Sequence, residues 1–327
     1  MFENKKSIAM NITVDTWNEE LAIKLLPNNV ILSVYLVIGL CGNGCVILTY
    51  LGSKLWEEEE RYFIPYLGVA DLCASIVCAS FGIVLNLNQA TFQYKVLCKS
   101  WWFLAGFTTL SSTLLLVVIA VQRLLKLCTL NGRSNMNLFW RRLVVISVAV
   151  ISLCLSLPMP FLYGIVPFHD VPRNITGQRC SRLFDVNHTA SLIYGAVLVV
   201  VAFAIIISLI VMYSKIGYVI YVHMKTIRDI STRVARNKRI MIKLSLMFML
   251  ITVIFLICYI PKVTIMLLEA NSQSFWEQLS DDTRPFVLFI YRMFIINNIT
   301  NPFIYAFFDT LFLTSLKTIF GCTIHVL

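Results

Sequence analysis

Two charged residues interrupt otherwise apolar runs of this sequence, where a charge is costly and usually functional. Asp71 lies within the run 62–87, and Arg292 lies within the run 285–308. Acid–base or nucleophilic catalysis would need a histidine, or a serine beside a histidine, close to such a charge. The histidines instead lie in loops, near the ends of runs or in the C-terminal tail: His169, His188, His223 and His325. We therefore expect binding or switching at these charges, and no enzyme activity.

The composition indicates a membrane protein. Of the 327 residues, 58% are hydrophobic and 13% are charged, whereas soluble domains are about half apolar and a quarter charged. The same figures exclude a disordered chain, which needs more charge and fewer large apolar residues. The net charge of +10 does not predict nucleic-acid binding, because the basic residues lie between apolar runs instead of gathering on one solvated face.

Seven runs are long enough to cross a membrane as helices, which takes about 20 mainly apolar residues. Five of them lack Lys, Arg, Asp and Glu, and the charged residues that bound them give the ranges 24–54, 99–123, 142–170, 185–215 and 243–262. The runs around Asp71 and Arg292 complete the set. The first run is expected to act as its own insertion signal, because polar residues follow Met1 where a cleaved signal peptide would be apolar.

The distribution of Lys and Arg predicts an extracellular N-terminus and a cytoplasmic C-terminus. The expected location is the plasma membrane. In that orientation 16 of the 27 basic residues face the cytoplasm, and 13 of these lie in the loops 123–142 and 215–243. Three glycosylation sequons then fall on the outer side, at Asn11, Asn174 and Asn187.

The placement of the cysteines predicts one disulfide. Of the ten cysteines, only Cys98 and Cys180 fall on the oxidising outer side. A bond between them would tie the second outer loop to the third span. Two unrelated free thiols are the alternative.

The end of the chain predicts an amphipathic helix on the inner membrane face, in contact with lipids. Its apolar residues recur three and four positions apart: Phe308, Leu311, Phe312, Leu316, Ile319 and Phe320. Cys322 would carry a palmitoyl anchor or remain a plain thiol. The fold class is thus an all-α membrane protein. A seven-transmembrane helix bundle (30–308) stands between an extracellular segment (1–29) and the cytoplasmic helix with its short tail (309–327).

Short polar motifs stand in five of the spans. They are Gly42-Asn43, Leu67-Gly68-Val69-Ala70-Asp71-Leu72, Arg123 placed 25 residues after Cys98, Phe255-Leu256-Ile257-Cys258-Tyr259-Ile260-Pro261, and Asn301-Pro302-Phe303-Ile304-Tyr305. Their order and spacing resemble the rhodopsin-like (class A) G-protein-coupled receptors, of the peptide-receptor type, across the whole chain. The resemblance implies a sensor: an extracellular ligand shifts a two-state helix bundle, and a heterotrimeric G protein reads the shift.

The resemblance assigns activation and G-protein coupling to nine residues. They are Gln122, Arg123, Tyr213, Phe255, Tyr259, Pro261, Asn301, Pro302 and Tyr305. Arg123 would contact the G protein when the helices open, and Tyr213 and Tyr305 would swing inward beside it. The two prolines permit kinks, because each removes a backbone hydrogen bond.

The resemblance also implies an allosteric sodium site formed by four oxygen donors: Asp71, Ser112, Asn297 and Asn301. One carboxylate with hydroxyl and amide neighbours can hold a monovalent cation in the wet interior of a bundle. A polar network that only packs helices is the alternative. No other metal and no cofactor are expected.

Departures from the family pattern affect the switch. The usual Asp-Arg-Tyr stands as Gln122-Arg123-Leu124, and a neutral Gln122 cannot form the ion pair that restrains the arginine at rest. One hypothesis is that Gln122 raises basal signalling; drift in a divergent lineage explains the same substitution without a gain of activity. Tyr259 replaces the usual tryptophan before the proline of span six, and Ile205 stands where span five normally has a proline.

Two ligand classes are excluded by the resemblance. Amine receptors place an aspartate eighteen residues before the span-three arginine, where this sequence has Ala105. Opsins need a lysine seven residues before the span-seven proline, where this sequence has Ile295. Amine and retinal ligands are therefore not expected.

The expected ligand pocket is lined by Phe81, Trp102, Ala105, Thr109, Lys262, Met266, Glu269 and Tyr291. An intramembrane cation needs an anionic partner, which an acidic group of the ligand or Glu269 would supply to Lys262. Alternatively, Lys262 and Arg292 snorkel to the outer interface. The sequons, the polar N-terminus and the aromatic rim favour a peptide. A small acidic ligand, a lipid or a chemosensory ligand stays open, and a transporter is the alternative from another class.

Overall fold

The computed structural model describes residues 13–128, 136–170, 174–183, 188–227, 233–272, 275–280 and 282–321. In chain order its helices and strands are α1 Val14–Lys24, α2 Leu26–Gly52, α3 Ile64–Leu87, α4 Lys95–Cys128, α5 Leu138–Ser156, α6 Met159–Leu162, β1 Tyr163–Asp170, β2 Ile175–Arg182, α7 His188–Ile227, α8 Arg233–Asn271, α9 Phe275–Gln278, α10 Arg284–Arg292, α11 Phe294–Phe308 and α12 Thr310–Ile319. Two 3-10 turns, Leu55–Glu57 and Glu59–Arg61, join α2 to α3.

In the described part of the chain, six helices and one bent helix pair match the seven crossings that the apolar runs predict. Helices α2, α3, α4, α5, α7 and α8 are each long and apolar enough to span a bilayer, and α10 with α11 forms a seventh span bent by 45°. Helix α4 packs against α3, α5, α7 and α8, so it lies at the centre of the bundle. The predicted amphipathic helix is also confirmed, as α12 after Phe308.

The spans carry apolar residues on both faces, because lipid covers one face and the bundle core the other. Val37, Ile207 and Ile257 are more than half exposed on the outer surface of the bundle. The polar residues face inward instead. Those at most 1% exposed include Asn43, Asp71, Ser75, Ser112, Asn297, Asn298 and Asn301. The bundle therefore encloses a polar core within an apolar shell.

A β-hairpin covers one end of the bundle, which we call the hairpin end. Strands β1 and β2 pair antiparallel, with Ile165 opposite Cys180. Cys180 is bonded to Cys98 near the start of α4, so the predicted disulfide is confirmed. The sequence patterns did not indicate this hairpin, because its first strand lies within the apolar run 142–170, which the sequence assigned to a membrane span.

Helix α1 also packs at the hairpin end. Trp17 and Leu21 bury their side chains against Ala90 and Ile175. The Asn18 side chain donates to the carbonyl oxygen of Leu87 and accepts from the backbone N–H of Ala90. The chain before the first span is thereby attached to the end of α3 and to the hairpin.

The opposite end of the bundle, which we call the α12 end, is held by Asp309. Its carboxylate caps α12 by accepting from the backbone N–H groups of Leu311 and Phe312. It also binds Arg61, with Nε 2.7 Å from Oδ2. An N-cap carboxylate satisfies backbone donors that a helix start leaves unpaired, so one buried residue joins α12 to the loop between α2 and α3.

Candidate functional site

A cavity of about 270 Å³ lies between the helices at the hairpin end. All eight residues that the sequence placed in the ligand pocket line it: Phe81 of α3, Trp102, Ala105 and Thr109 of α4, Lys262, Met266 and Glu269 of α8, and Tyr291 of α10. Its lining is mainly apolar and aromatic with a few polar groups, which is the usual composition of a binding cleft.

The hairpin adds lining residues that sequence reasoning missed. Tyr163 of β1 stacks on Trp102 with ring centroids 4.2 Å apart, and Arg179 of β2 also lines the cavity. The indole N–H of Trp102 is buried and has no hydrogen-bond partner among the described residues. The signal that could have found Arg179 is its position beside Cys180, because the disulfide holds that strand over the bundle.

Lys262 carries the cationic group at the inner part of this cavity. Its Nζ lies 3.4 Å from the ring centroid of Phe294 and 5.7 Å from that of Tyr259. Among the described residues no carboxylate forms an ion pair with it. Aromatic faces stabilise a desolvated cation by about 2 kcal/mol, which is less than the full cost of burying an ammonium group.

Glu269 interacts with other residues and not with Lys262. It accepts a hydrogen bond from Trp276 and interacts electrostatically with Arg182 and Arg179 of the hairpin. Seven residues separate it from Lys262 on the same helix, a rise of roughly 10 Å along the axis. Glu269 therefore lies at the mouth of the cavity and does not neutralise Lys262.

Arg292 is buried inside the bundle, at 8% exposure. It donates to Oδ1 of Asn86 at 2.9 Å, and Asn86 in turn donates to Oδ1 of Asn29. This chain of amides connects Arg292 to α3 and α2 through one guanidinium N–H group. The alternative in which Arg292 snorkels to the outer interface does not match this buried, hydrogen-bonded position.

Asp71 lies in the polar core, below the cavity. It accepts hydrogen bonds from the Ser112 hydroxyl and, at 2.7 Å, from Nδ2 of Asn301. Asn297 is also fully buried, but no hydrogen bond joins it to Asp71 in the described part of the chain. The structure therefore brings three of the four expected sodium ligands into direct contact.

Several oxygen atoms of this core lack a partner. The Oδ1 atoms of Asn43, Asn297, Asn298 and Asn301 are buried without a hydrogen bond among the described residues. Such groups are costly in a membrane interior unless water or an ion meets them. Oxygen donors around one carboxylate fit a monovalent cation, so the residues present are suited to sodium. Asn43 and Asn298 were not among the expected ligands.

Tyr259 forms the floor of the cavity. It stacks on Phe255 with ring centroids 4.2 Å apart, and the Thr113 hydroxyl donates to its oxygen at 3.3 Å. Pro261 and Pro302 lie inside α8 and α11. The aromatic pair thus stands between Lys262 above and the polar core below.

Arg123 is covered at the α12 end of α4, with 2% exposure. It donates to the carbonyl oxygen of Glu60, and its guanidinium carbon lies 5.2 Å from the Phe248 ring centroid. Tyr305 is also buried, edge-on to Phe248 at 6.3 Å. Tyr213 is buried on α7 and interacts electrostatically with Arg123. Arg123, Tyr213 and Tyr305 are therefore all buried at the α12 end of the bundle.

The remaining expected sites are at the ends of the chain and in the hairpin. Asn174 is exposed at the hairpin turn with φ of 51°, a left-handed conformation that asparagine tolerates. Asn11, Asn187 and Cys322 lie outside the described residues.

Known proteins resemble this chain over most of its length. The family model described as "7 transmembrane receptor (rhodopsin family)" matches residues 42–305. The chain is 26% identical to galanin receptor 2b of Danio rerio, over 96% of this chain and 81% of that one. It is 22% identical to a QRFP-like peptide receptor of Branchiostoma floridae, over 88% and 75%. The crystal structure of squid rhodopsin superposes with a TM-score of 0.73 at 18% identity, covering 94% of this chain and 81% of that one.

Proposed function

Because this chain belongs to the seven-transmembrane receptors of the rhodopsin family, we propose that it is a plasma-membrane receptor for an extracellular peptide. Peptide binding in the cavity at the hairpin end activates a heterotrimeric G protein at the α12 end. The observation that carries this proposal is the aromatic cavity with charged groups at two depths. Similarity to a galanin receptor and to a QRFP-like peptide receptor supports a peptide as the ligand.

In this proposal the hairpin end of the bundle faces the outside of the cell. A disulfide between Cys98 and Cys180 is stable in the oxidising extracellular space. Asn174 is exposed at the same end, where a glycan can be attached. The basic loops lie at the α12 end, in keeping with the excess of Lys and Arg on cytoplasmic segments.

The ligand carries a carboxylate, either a free C-terminus or an acidic side chain. The support is Lys262, which has aromatic neighbours but no acidic partner among the described residues. A carboxylate arriving with the ligand completes the charge pair in a water-poor site, where charge-assisted hydrogen bonds are strongest.

A screen in cells tests the function. Cells displaying the chain are exposed to synthetic peptides, fatty acids and other small carboxylates while several G-protein pathways are read in parallel. An R123A variant at equal surface number is the control. Activation by a peptide that disappears in R123A supports the proposal. Activation by a fatty acid alone indicates a lipid receptor, and solute flux that survives R123A indicates a transporter.

The carboxylate is tested on any agonist from that screen. K262Q is expected to raise the half-maximal concentration roughly 10- to 100-fold, because one charge-assisted hydrogen bond is worth about 1.5–3 kcal/mol. K262R should retain more potency than K262Q. K95Q is the matched control, since Lys95 is exposed at the same end and does not line the cavity. Equal sensitivity of K262Q and wild type to the agonist would contradict the pairing.

Sodium is proposed to bind at Asp71, with Ser112, Asn297 and Asn301 as further ligands. We expect sodium chloride, compared with N-methylglucamine chloride, to stabilise the purified receptor by about 1–2 kcal/mol at roughly ten times the dissociation constant. The gain should vanish in D71N and be measured as a shift of the thermal midpoint. If sodium gives wild type no advantage while D71N is less stable in both salts, Asp71 belongs to a network that only packs helices.

A further inference from the structure

The loop between α2 and α3 places four glutamates at the α12 end of the bundle. The two nearest α3, Glu59 and Glu60, lie against α4. The backbone carbonyl oxygen of Glu59 accepts from Nε2 of Gln122 at 2.6 Å, and that of Glu60 accepts from the Arg123 guanidinium. Both residues of the divergent Gln122-Arg123 pair therefore donate hydrogen bonds to the backbone of one short segment, residues 59–60 of the α2–α3 loop.

The side chains of that segment anchor it to α4. Lys126 Nζ lies 2.9 Å from Oε2 of Glu59 and 2.6 Å from Oε1 of Glu60. The other oxygen of Glu59 accepts from the backbone N–H of Met136 at 2.9 Å. The Lys126, Glu59 and Glu60 side chains are 11%, 12% and 25% exposed, so solvent and salt screen these pairs less than ordinary surface pairs.

The buried charge of Arg123 is compensated by this acidic segment. At 2% exposure its charge is removed from water, and the neighbouring position offers the neutral Gln122 instead of a carboxylate. The groups that act on it electrostatically are Glu60, Tyr213, Arg61 and Tyr50, of which Glu60 carries the compensating negative charge. A buried cation needs such a partner.

We propose that Glu59 and Glu60, anchored by Lys126, form an acidic clamp that holds Arg123 in its covered position. The clamp takes over the restraint that Gln122 cannot provide as an anion. Arg123 must leave the carbonyl of Glu60 before a G protein can reach it, so opening the clamp is a step of activation. Glu59, Glu60 and Lys126 are positioning residues, which act on the G protein through Arg123.

The clamp makes low ligand-free activity compatible with Gln122. The double variant E59Q/E60Q and the single variant K126Q are each expected to raise ligand-free nucleotide exchange roughly three- to tenfold, by favouring the open population. Ligand-free nucleotide exchange in the triple variant E59Q/E60Q/K126Q should not exceed the larger of these two increases, because all three residues act through one anchored segment. Adding R123A should return exchange to background.

The assay uses membranes from cells displaying the full chain, purified heterotrimeric G proteins and no ligand. Exchange is normalised to receptor number at the surface. E57Q is the matched control, since Glu57 is an exposed glutamate of the same loop that makes none of these contacts. Exchange in E59Q/E60Q and in K126Q that equals both wild type and E57Q would overturn the clamp.

A second measurement separates the clamp from G-protein coupling. Hydrogen–deuterium exchange of the purified receptor should be faster in residues 119–128 of α4 in K126Q than in E57Q, whether or not any tested G protein responds. Unchanged deuterium uptake in K126Q overturns the clamp. If deuterium uptake is faster in K126Q but no variant stimulates nucleotide exchange, the clamp is supported and the proposed coupling to a G protein is contradicted.

Discussion

Replacing Asp309 by alanine is expected to lower the free energy of unfolding by about 3–5 kcal/mol, since it leaves the buried Arg61 with the half-exposed Glu58 in place of its buried carboxylate partner. Asp309 is 2% exposed and meets Arg61 at both carboxylate oxygens, with Nε 2.7 Å from Oδ2 and Nη2 3.0 Å from Oδ1. The Tyr50 hydroxyl donates to the same carboxylate at 3.1 Å. D309A also removes the cap of α12, so stability and the attachment of α12 should fail together.

The thermal midpoint of the purified receptor measures this effect, with an expected fall of about 5–10 °C. D282A is the matched control. Asp282 pairs with Lys24 at 3.2 Å, but its side chain is 91% exposed, and an exposed pair contributes about 0–1 kcal/mol. R61M/D309L should unfold at a higher temperature than D309A, because no uncompensated charge remains. If the thermal midpoint falls no further in D309A than in D282A, Asp309 does not stabilise the contact between α12 and the α2–α3 loop as proposed.

Replacing Cys98 by alanine is expected to lower the free energy of unfolding by about 4.5 kcal/mol, the loop-closure value for a disulfide that joins residues 82 apart in sequence. The bond also holds β2 over the cavity, so C98A should lose ligand response as well as stability. Fewer copies should reach the cell surface, which flow cytometry of an N-terminal epitope measures.

The controls for this prediction use the other cysteines. C180A and the double variant C98A/C180A should match C98A, because either change removes the same bond. C154A should resemble wild type, since Cys154 is an exposed free cysteine on α5. A C98A receptor that reaches the surface and unfolds like C154A would show that the bond contributes little.

Elements with strong local signals were predictable. Periodic or continuous apolarity specified the seven spans and α12, and compartment chemistry specified the disulfide between Cys98 and Cys180. The hairpin was not predictable, because its first strand lies within the apolar run 142–170, which the sequence assigned to a membrane span. The sequence therefore did not predict that the hairpin residues Tyr163 and Arg179 line the cavity.

Charge partners were the least predictable feature. The sequence left two candidates for Lys262, and only the fold places Glu269 with Trp276 and the hairpin arginines instead. Likewise, the neutral Gln122 left Arg123 without an obvious restraint, until the packing of the α2–α3 loop brought Glu60 to it. Glu60 and Arg123 are 63 residues apart, and the hairpin arginines are also far from Glu269 in sequence. Sequence spacing therefore does not predict these contacts.

The sequence by itself determined that this is a membrane protein, how many times it crosses the membrane, which cysteines form its disulfide and which family it belongs to. These follow from apolar length and from short motifs, which act through local geometry and through the transfer of whole segments into lipid. Only the tertiary structure decided how the scarce charges are paired: Arg61 with Asp309, Arg292 with Asn86, and Arg123 with Glu60. The physical reason is that a buried charge is stabilised by whatever group lies within a few ångströms, and that neighbour is set by how the helices pack.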